Sequence, residues 1–235
     1  MIDRLLGYFE VGLLRHLPQW SVSIRSRRYH QIKEDKSFLE LYDRLQKQKR
    51  LIQSVCDAYN LYRLCAQTGK ISGDVAELGV FRGGSARLLG AVKQRRQLRL
   101  FDTFDEFGGM PKVRGDIDKH SEGDFKDTRF VDVKTLMAGV EGVNFYPGFF
   151  PDSTASLQSS GDTYSCVHLD VDIYQSTLDG LKYFYPRLSR GGMIVSHDYR
   201  YLQCPGVKKA FDEFFADKPE TVLELWDTQA LVVKQ

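Results

Sequence analysis

The chain has 235 residues, 42% of them hydrophobic, and a formal net charge of only +2. That length holds one α/β domain with helical additions and does not require two, and basic residues interleaved with acids give no reason to expect a nucleic-acid partner. Cys56, Cys65, Cys166 and Cys204 lack CxxC spacing, which indicates no zinc site and fits the reduced thiols of a cytoplasmic protein.

Met1 to Trp20 carries Leu5, Leu6, Phe9, Leu13 and Leu14 at helical spacing, flanked by Asp3, Arg4, Glu10 and Arg15. The stretch is amphipathic, too interrupted to span a bilayer, and without a secretory cleavage site. Arg25, Arg27, Arg28 and Lys33 read as a solvated linker face rather than a lipid contact. A helical pattern over Ser37 to Gln67 (Phe38, Leu41, Tyr42, Leu45, then Leu51, Ile52, Val55, Tyr59, Tyr62) ends at Thr68-Gly69-Lys70. Residues 1–70 are therefore expected to form a helical extension, a lid or the contact of a homo-oligomer, with the core domain over 71–235.

From Asp74 to Leu89, DVAELGVFRGGSARLL predicts a strand, a glycine turn and a helix. A second strand, Gln97 to Phe101, ends at Asp102-Thr103-Phe104, and a polar passage from Thr103 to Thr128 has the length of a functional loop or lid, with His120 in its middle. A helix around Val131 to Met137 leads to a strand over Val143 to Tyr146. The strand Tyr164 to Leu169 ends at Asp170-Val171-Asp172, a helix spans Ser176 to Leu188, and Met193 to Val195 ends at His197-Asp198. Val222 to Trp226 and Ala230 to Val233 predict a β-hairpin at the sheet edge.

The glycine turn is not GxGxxG, because Val80-Phe81-Arg82 fill its middle, so a nucleoside with a compact amino-acid tail suits it better than a pyrophosphate. Asp102 lies at the distance where doubly wound sheets grip a ribose diol. Ligands of open α/β sheets bind at the carboxyl ends of the strands, so Glu77, Asp102, Asp170, Asp172, His197 and Asp198 are expected to converge on one crevice. Hard ligands with an imidazole suit Mg²⁺ or Mn²⁺. The alternative is structural: Asp-Val-Asp as a helix cap and His197-Asp198 as a pair stiffening a turn. For His120 the choice is between a catalytic residue and a solvated loop histidine.

ELGVFRGGSARLL resembles the first S-adenosylmethionine motif of metal-dependent small-molecule O-methyltransferases, and DTFDEFGGMP, HLDVDIYQST and YPRLSRGGMIVSHDY are similar to segments of the macrocin O-methyltransferase (TylF-like) family. The resemblance runs from about Ile71 to the C-terminus. It implies an α/β, Rossmann-like class I methyltransferase fold: a seven-stranded, mostly parallel sheet with an antiparallel C-terminal hairpin, here with N-terminal helices added. By position, Glu77, Gly79 and Ser85 would hold the methionine part of the donor, with Gly83 in the same turn. Asp102 and Thr103 would take the ribose and Phe149 the adenine. Asp170 would serve donor and metal alike, and Asp198 would be a metal ligand with His197 beside it. His197 stands where the family more often has an acid, and Ile173 stands where catechol-type enzymes have a lysine; the resemblance offers His120, which matches a histidine of the TylF-like loop, as the candidate base, with Asp172 open as ligand or base. The implied reaction is methyl transfer from S-adenosylmethionine, with Mg²⁺ or Mn²⁺, to a hydroxyl of a small molecule, foremost a sugar of a glycosylated metabolite. A catechol or phenol acceptor and a catalytically silent donor-binding subunit are the alternatives.

Overall fold

Helices cover both faces of the parallel sheet, so its central strands are buried on both sides. In the computed structural model, which describes residues 30–111, 117–157 and 161–235, Tyr164–Leu169 is buried at every position. The strands are β1 (Asp74–Leu78), β2 (Leu98–Asp102), β3 (Val143–Pro147), β4 (Tyr164–Leu169), β5 (Leu188–Ser196), β6 (Leu223–Glu224) and β7 (Ala230–Val233). They form one sheet in the order β3-β2-β1-β4-β5-β7-β6. The first five are parallel, whereas β7 runs antiparallel to both β5 and β6. The seven-stranded sheet and C-terminal hairpin implied by the resemblance are both present.

The helices are α1 (His30–Glu34), α2 (Lys36–Lys47), α3 (Val55–Gln67), α4 (Gly84–Val92), α5 (Phe130–Met137), α6 (Tyr174–Phe184) and α7 (Pro205–Phe215). Alternate residues of each strand face opposite sides. Val75 accordingly joins Leu61 and Cys65 of α3 and Ala86 and Leu89 of α4. Ala76 and Leu78 join Leu181 and Phe184 of α6 and Phe211 of α7 on the other side.

The pattern drawn as one run over Ser37–Gln67 is two helices. Asp35 Oδ1 accepts the Phe38 N–H at 3.0 Å and starts α2. Lys49, with φ 54°, lies beyond its end, and Ser54 caps α3 by accepting the Asp57 N–H at 3.1 Å. Residues 41–235 form one compact unit, which reaches back past Ile71 into the stretch read as the extension. The reason is α3, whose Leu61 and Cys65 are buried in the sheet's own core. Met1 to Trp20 and the arginines at 25, 27 and 28 lie outside the described residues. Among the described residues, no helix is long and apolar enough to cross a membrane.

The register sets Leu78 beside both Phe101 and Leu169, and Leu169 beside Ser196. The residues after each of these strands therefore land on one edge. Gly79 N–H donates to Phe101 O at 3.0 Å and Asp170 N–H to Leu78 O at 2.9 Å. Gly79 has φ +89°, and a Cβ on it would run into the carbonyl oxygen of Asp170. Its need for glycine thus comes from closure of the sheet as well as from any ligand nearby. Gly79→Ala is expected to destabilise the ligand-free protein by about 3 kcal/mol, the sum of a left-handed conformation and a backbone clash. Urea denaturation without any donor checks this, and an unchanged midpoint would refute it.

Candidate active site

Asp102, at the end of β2, faces back across the glycine loop. Its Oδ2 accepts the N–H groups of Val80 at 2.7 Å and Phe81 at 2.9 Å, and its Oδ1 accepts the Phe104 N–H at 2.7 Å. Burial pushes this carboxyl above its usual range, and the three N–H donors pull it part of the way back. Asp102 thus fixes the loop, and the Thr103 hydroxyl adds a fourth, longer donor at 3.5 Å.

Two adjoining cavities lie along the strand ends. The smaller, about 100 Å³, is lined by Gly79, Asp102, Thr103, Phe149 and Asp170 among others. The larger, about 390 Å³, is lined by Gly79, Ser85, His120, Asp170, His197 and Asp198 among others. Phe81, Phe125 and Asp172 border both. Gly83 lines neither and has a different surrounding from the one expected. Its N–H donates to Val80 O, and a Cβ there would meet Val133 and Leu136 of α5. Glu77 also lines neither. It is fully buried beneath them, with Oε1 2.7 Å from Nδ1 of His168 on β4. Burial raises its carboxyl and His168 opposes that shift. His168 sits directly opposite Glu77 in the β1–β4 register. Two residues before Asp170 it was readable as a polar residue on an apolar strand, but nothing in the sequence says what it meets.

The acidic centre surrounds one imidazole. His197 Nδ1 lies 2.9 Å from Asp198 Oδ2 and 3.2 Å from Asp170 Oδ1, and its Nε2 lies 3.7 Å from Asp57 Oδ2. Gln53 Nε2 donates to the other Asp170 oxygen at 2.9 Å. Burial works to raise the Asp170 carboxyl, but the charge and hydrogen bond of His197 outweigh it and hold it down at about 2. Burial works to lower His197, yet the charge of Asp170 and the hydrogen bonds of Asp170, Asp198 and Asp57 raise it well above 6.5. Burial, then the like charges of Asp198 and Asp170, push Asp172 well above the usual carboxylate range. Gln53 and Asp57 are site residues that the sequence reading missed, because they precede and open a helix assigned to the extension.

Asp170, His197 and Asp198 offer ligand atoms that all lie within 4.8 Å of one another. Two carboxylates and an imidazole at that spacing fit a divalent ion, the imidazole ligating in its neutral form.

The lid brings His120 to the same place, with Nε2 3.8 Å from Asp172 Oδ1 and Nδ1 3.3 Å from Asp124 Oδ2. What holds it there is Asp118. Its Oδ2 accepts the Tyr174 N–H at 2.9 Å and its Oδ1 the Gly206 N–H at 2.6 Å, so one buried carboxylate serves the first turns of α6 and α7. Lys119 N–H donates to Gln203 O at 2.9 Å. Nearer the glycine loop, Arg82 pairs with Asp127 at 2.7 Å and the Phe81 and Phe125 rings meet edge to face.

A doubly wound sheet whose last strand is reversed, with its crevice at the strand ends beside a glycine turn, is the class I methyltransferase fold. The family model of the macrocin-O-methyltransferase TylF matches residues 60–228, and the chain belongs to that family. Demethyldecarbamoylnovobiocin O-methyltransferase of Streptomyces niveus is 30% identical over 159 residues, which are 62% of this chain and 59% of that protein. The 8-demethyl-8-(2,3-dimethoxy-alpha-L-rhamnosyl)-tetracenomycin-C 4'-O-methyltransferase of Streptomyces olivaceus is 31% identical over 147 residues, 57% of this chain and 56% of that protein. The chain thus spans less than two thirds of the length of these curated relatives. The solved structure of the O-methyltransferase NovP superimposes with a TM-score of 0.62 at 26% identity, covering 76% of this chain and 79% of that one.

Asp118→Ala is expected to leave two helix-start N–H groups without their charged acceptor and to destabilise the protein by about 3 kcal/mol. Denaturation checks the stability. Limited proteolysis should show new cleavage near His120, and wild-type resistance on both counts would remove Asp118 as the anchor of the lid.

Proposed function

We propose that the protein transfers the methyl group of S-adenosylmethionine to a hydroxyl of a small molecule, foremost a sugar hydroxyl of a glycosylated metabolite. The observation that carries this reading is the meeting of His120, Asp170, Asp172, His197 and Asp198 around one cavity that continues, past Gly79, into a second lined by Asp102 and Phe149. The names of the relatives, one of them an enzyme methylating a rhamnosyl compound, support the acceptor class.

In this reading the smaller cavity takes the adenosine, with Asp102 and Thr103 at the ribose and the half-exposed Phe149 at the adenine. Gly79 and Ser85 flank the methionine tail, and Glu77 acts from beneath through its charge. The methyl carbon of a sulfonium is already electrophilic, so the protein's task is to place the acceptor oxygen in line and to exclude water. His120 takes the acceptor's proton at Nε2, while Asp124 holds the opposite ring nitrogen. Asp170 and Asp198 would hold a divalent ion, with His197 as a third ligand or as the partner that orients them. When bound, such an ion lowers the pKa of a coordinated hydroxyl. The N-terminal residues would serve as a subunit contact or lid, and the protein would act in the cytoplasm.

S-adenosylhomocysteine is expected to raise the melting temperature and NAD to leave it unchanged. Once an acceptor is found by mass spectrometry of a panel of sugar-bearing and phenolic compounds, His120→Ala should cut kcat about 10²- to 10⁴-fold with donor affinity retained. Turnover should vanish in EDTA and return with Mg²⁺ or Mn²⁺. Full turnover in the chelator would remove the metal from the reaction and leave His120 and Asp172 to activate the acceptor.

A further inference from the structure

Cys204 has no part in the proposed methyl transfer, yet it completes a second group of metal-binding atoms in the same crevice. Its Sγ lies 4.0 Å from Asp172 Oδ1, and His120 Nε2 lies 3.8 Å from that same oxygen. The ligand atoms of the three residues all fall within 4.8 Å of one another. They come from three separate stretches of chain: the lid, the turn after β4 and the loop before α7.

Those stretches are laced together close to each donor. Asp118, two residues before His120, binds the N–H of Tyr174, two residues after Asp172, and that of Gly206, two residues after Cys204. Lys119 N–H binds Gln203 O. The grouping is therefore set by the backbone. His120 also carries the partner that metal-bound imidazoles have as a rule, a carboxylate on the other ring nitrogen, here Asp124 Oδ2 at 3.3 Å from Nδ1. A proton on Nδ1 turns the Nε2 lone pair toward Asp172 and Cys204.

We infer that His120, Asp172 and Cys204 form a site for a thiophilic divalent cation, Zn²⁺ above all, distinct from the harder group of Asp170, His197 and Asp198. One thiolate, one imidazole and one carboxylate are the donor set of three-ligand zinc sites, whose fourth position holds water. Metal–ligand bonds of about 2.0 Å to N and O and about 2.3 Å to S, at tetrahedral angles, put ligand atoms about 3.3 to 3.6 Å apart. The two spacings to Asp172 Oδ1, 4.0 Å from Cys204 and 3.8 Å from His120, exceed these values by about half an ångström, and Nε2 and Sγ lie within 4.8 Å of each other. On binding, the Cys204 thiol gives its proton to solvent, the metal–sulfur bond forms, and the ion sheds water. Burial, then the neighbouring charges of Asp172 and Asp198, push that thiol up. The ion takes the lone pair of His120 and covers Asp172. If His120 is the base, as the proposed function has it, zinc inhibits methyl transfer and ties the lid down.

Binding is read apart from activity. Mg²⁺ in excess saturates the harder group, and Co²⁺ is then titrated in as a spectroscopic stand-in for zinc. One equivalent should produce a sulfur-to-cobalt charge-transfer band in the near ultraviolet together with the visible bands of a four-coordinate ion, and one equivalent of Zn²⁺ should erase both. Cys204→Ser and Cys204→Ala should each lose the charge-transfer band while unfolding and binding S-adenosylhomocysteine as the wild type does. His120→Ala should weaken Co²⁺ binding tenfold or more, and it serves as the test should the cysteine variants not fold. Absence of the band in the wild type, or its persistence in both Cys204 variants, would overturn the site. Neither result depends on finding an acceptor, so failure of the site and failure of the methyltransferase reading are told apart. With an acceptor in hand, Zn²⁺ should inhibit the Mg²⁺-saturated wild type and spare Cys204→Ala.

Discussion

The close approach of β1 and β4 at their carboxyl ends governs the rest of the crevice. The strand order reverses between β1 and β4, so the chains that leave these two strands run to opposite faces of the sheet. Here one turns at Gly79 and the other at Asp170, with the Asp170 carbonyl pressed into the space that a side chain on Gly79 would fill. That contact sets where Asp170 starts, and the hydrogen bond from His197 N–H to Leu169 O at 2.8 Å carries the same constraint to β5. The donor-side loop, the acidic centre and the lid histidine all take their positions from these three strand ends. The left-handed residues Asp172 and Asp198, with φ of 60° and 59°, are the places where the chain turns away.

So many carboxylates at one edge need compensation, and the chain supplies it unevenly. Asp102 and Asp118 are answered by backbone N–H groups, which suits a fixed structural anchor because amide dipoles do not titrate. Asp170 is answered by His197 and Gln53, side chains that can reorient or lose a proton. Asp172 is answered by little beyond His120 across 3.8 Å, and its carboxyl is accordingly driven up by burial and by Asp198 and Asp170. The division separates acids that build the scaffold from acids left to act on a ligand, a more telling signature than the number of acids alone.

Most strands and their carboxyl-end residues were legible because β1, β2 and β4 are short runs closed by glycine or acid, a local pattern, whereas the first half of β5, Leu-Ser-Arg-Gly-Gly, does not read as a strand and was given to the preceding helix as far as Leu188. What was illegible is what depends on contacts across the chain. Gln53 meets Asp170 across 117 positions and Glu77 meets His168 across 91, and neither pairing leaves a mark in local spacing. Gly83 shows the converse error. A glycine in a glycine turn reads as room for a ligand, whereas here it makes room for Val133 and Leu136 of a neighbouring helix. The break between α2 and α3 was hidden because Leu51 continues the apolar spacing across it, although Lys49 at φ 54° cannot be helical.

His197 and Cys204 are best considered together, because each replaces hardness with softness beside a shared pair of aspartates. An acid at position 197 would add a charge beside Asp170 and Asp198 and make the group harder. An imidazole, held there by Asp57 as well, makes that group less negative and ties its ion affinity to proton release. Two residues along from Asp170, Asp172 turns the other way, toward a thiol and the lid histidine. The same Asp-Val-Asp stretch therefore supplies one oxygen to a hard group and one to a soft group, and the sharp turn that Asp172 makes at φ 60° keeps the two from merging. Because Asp118 binds the first turns of both α6 and α7, any movement of the lid shifts His120 relative to both groups at once. The positions of His120, Asp172 and Cys204 are thus coupled through a single buried carboxylate.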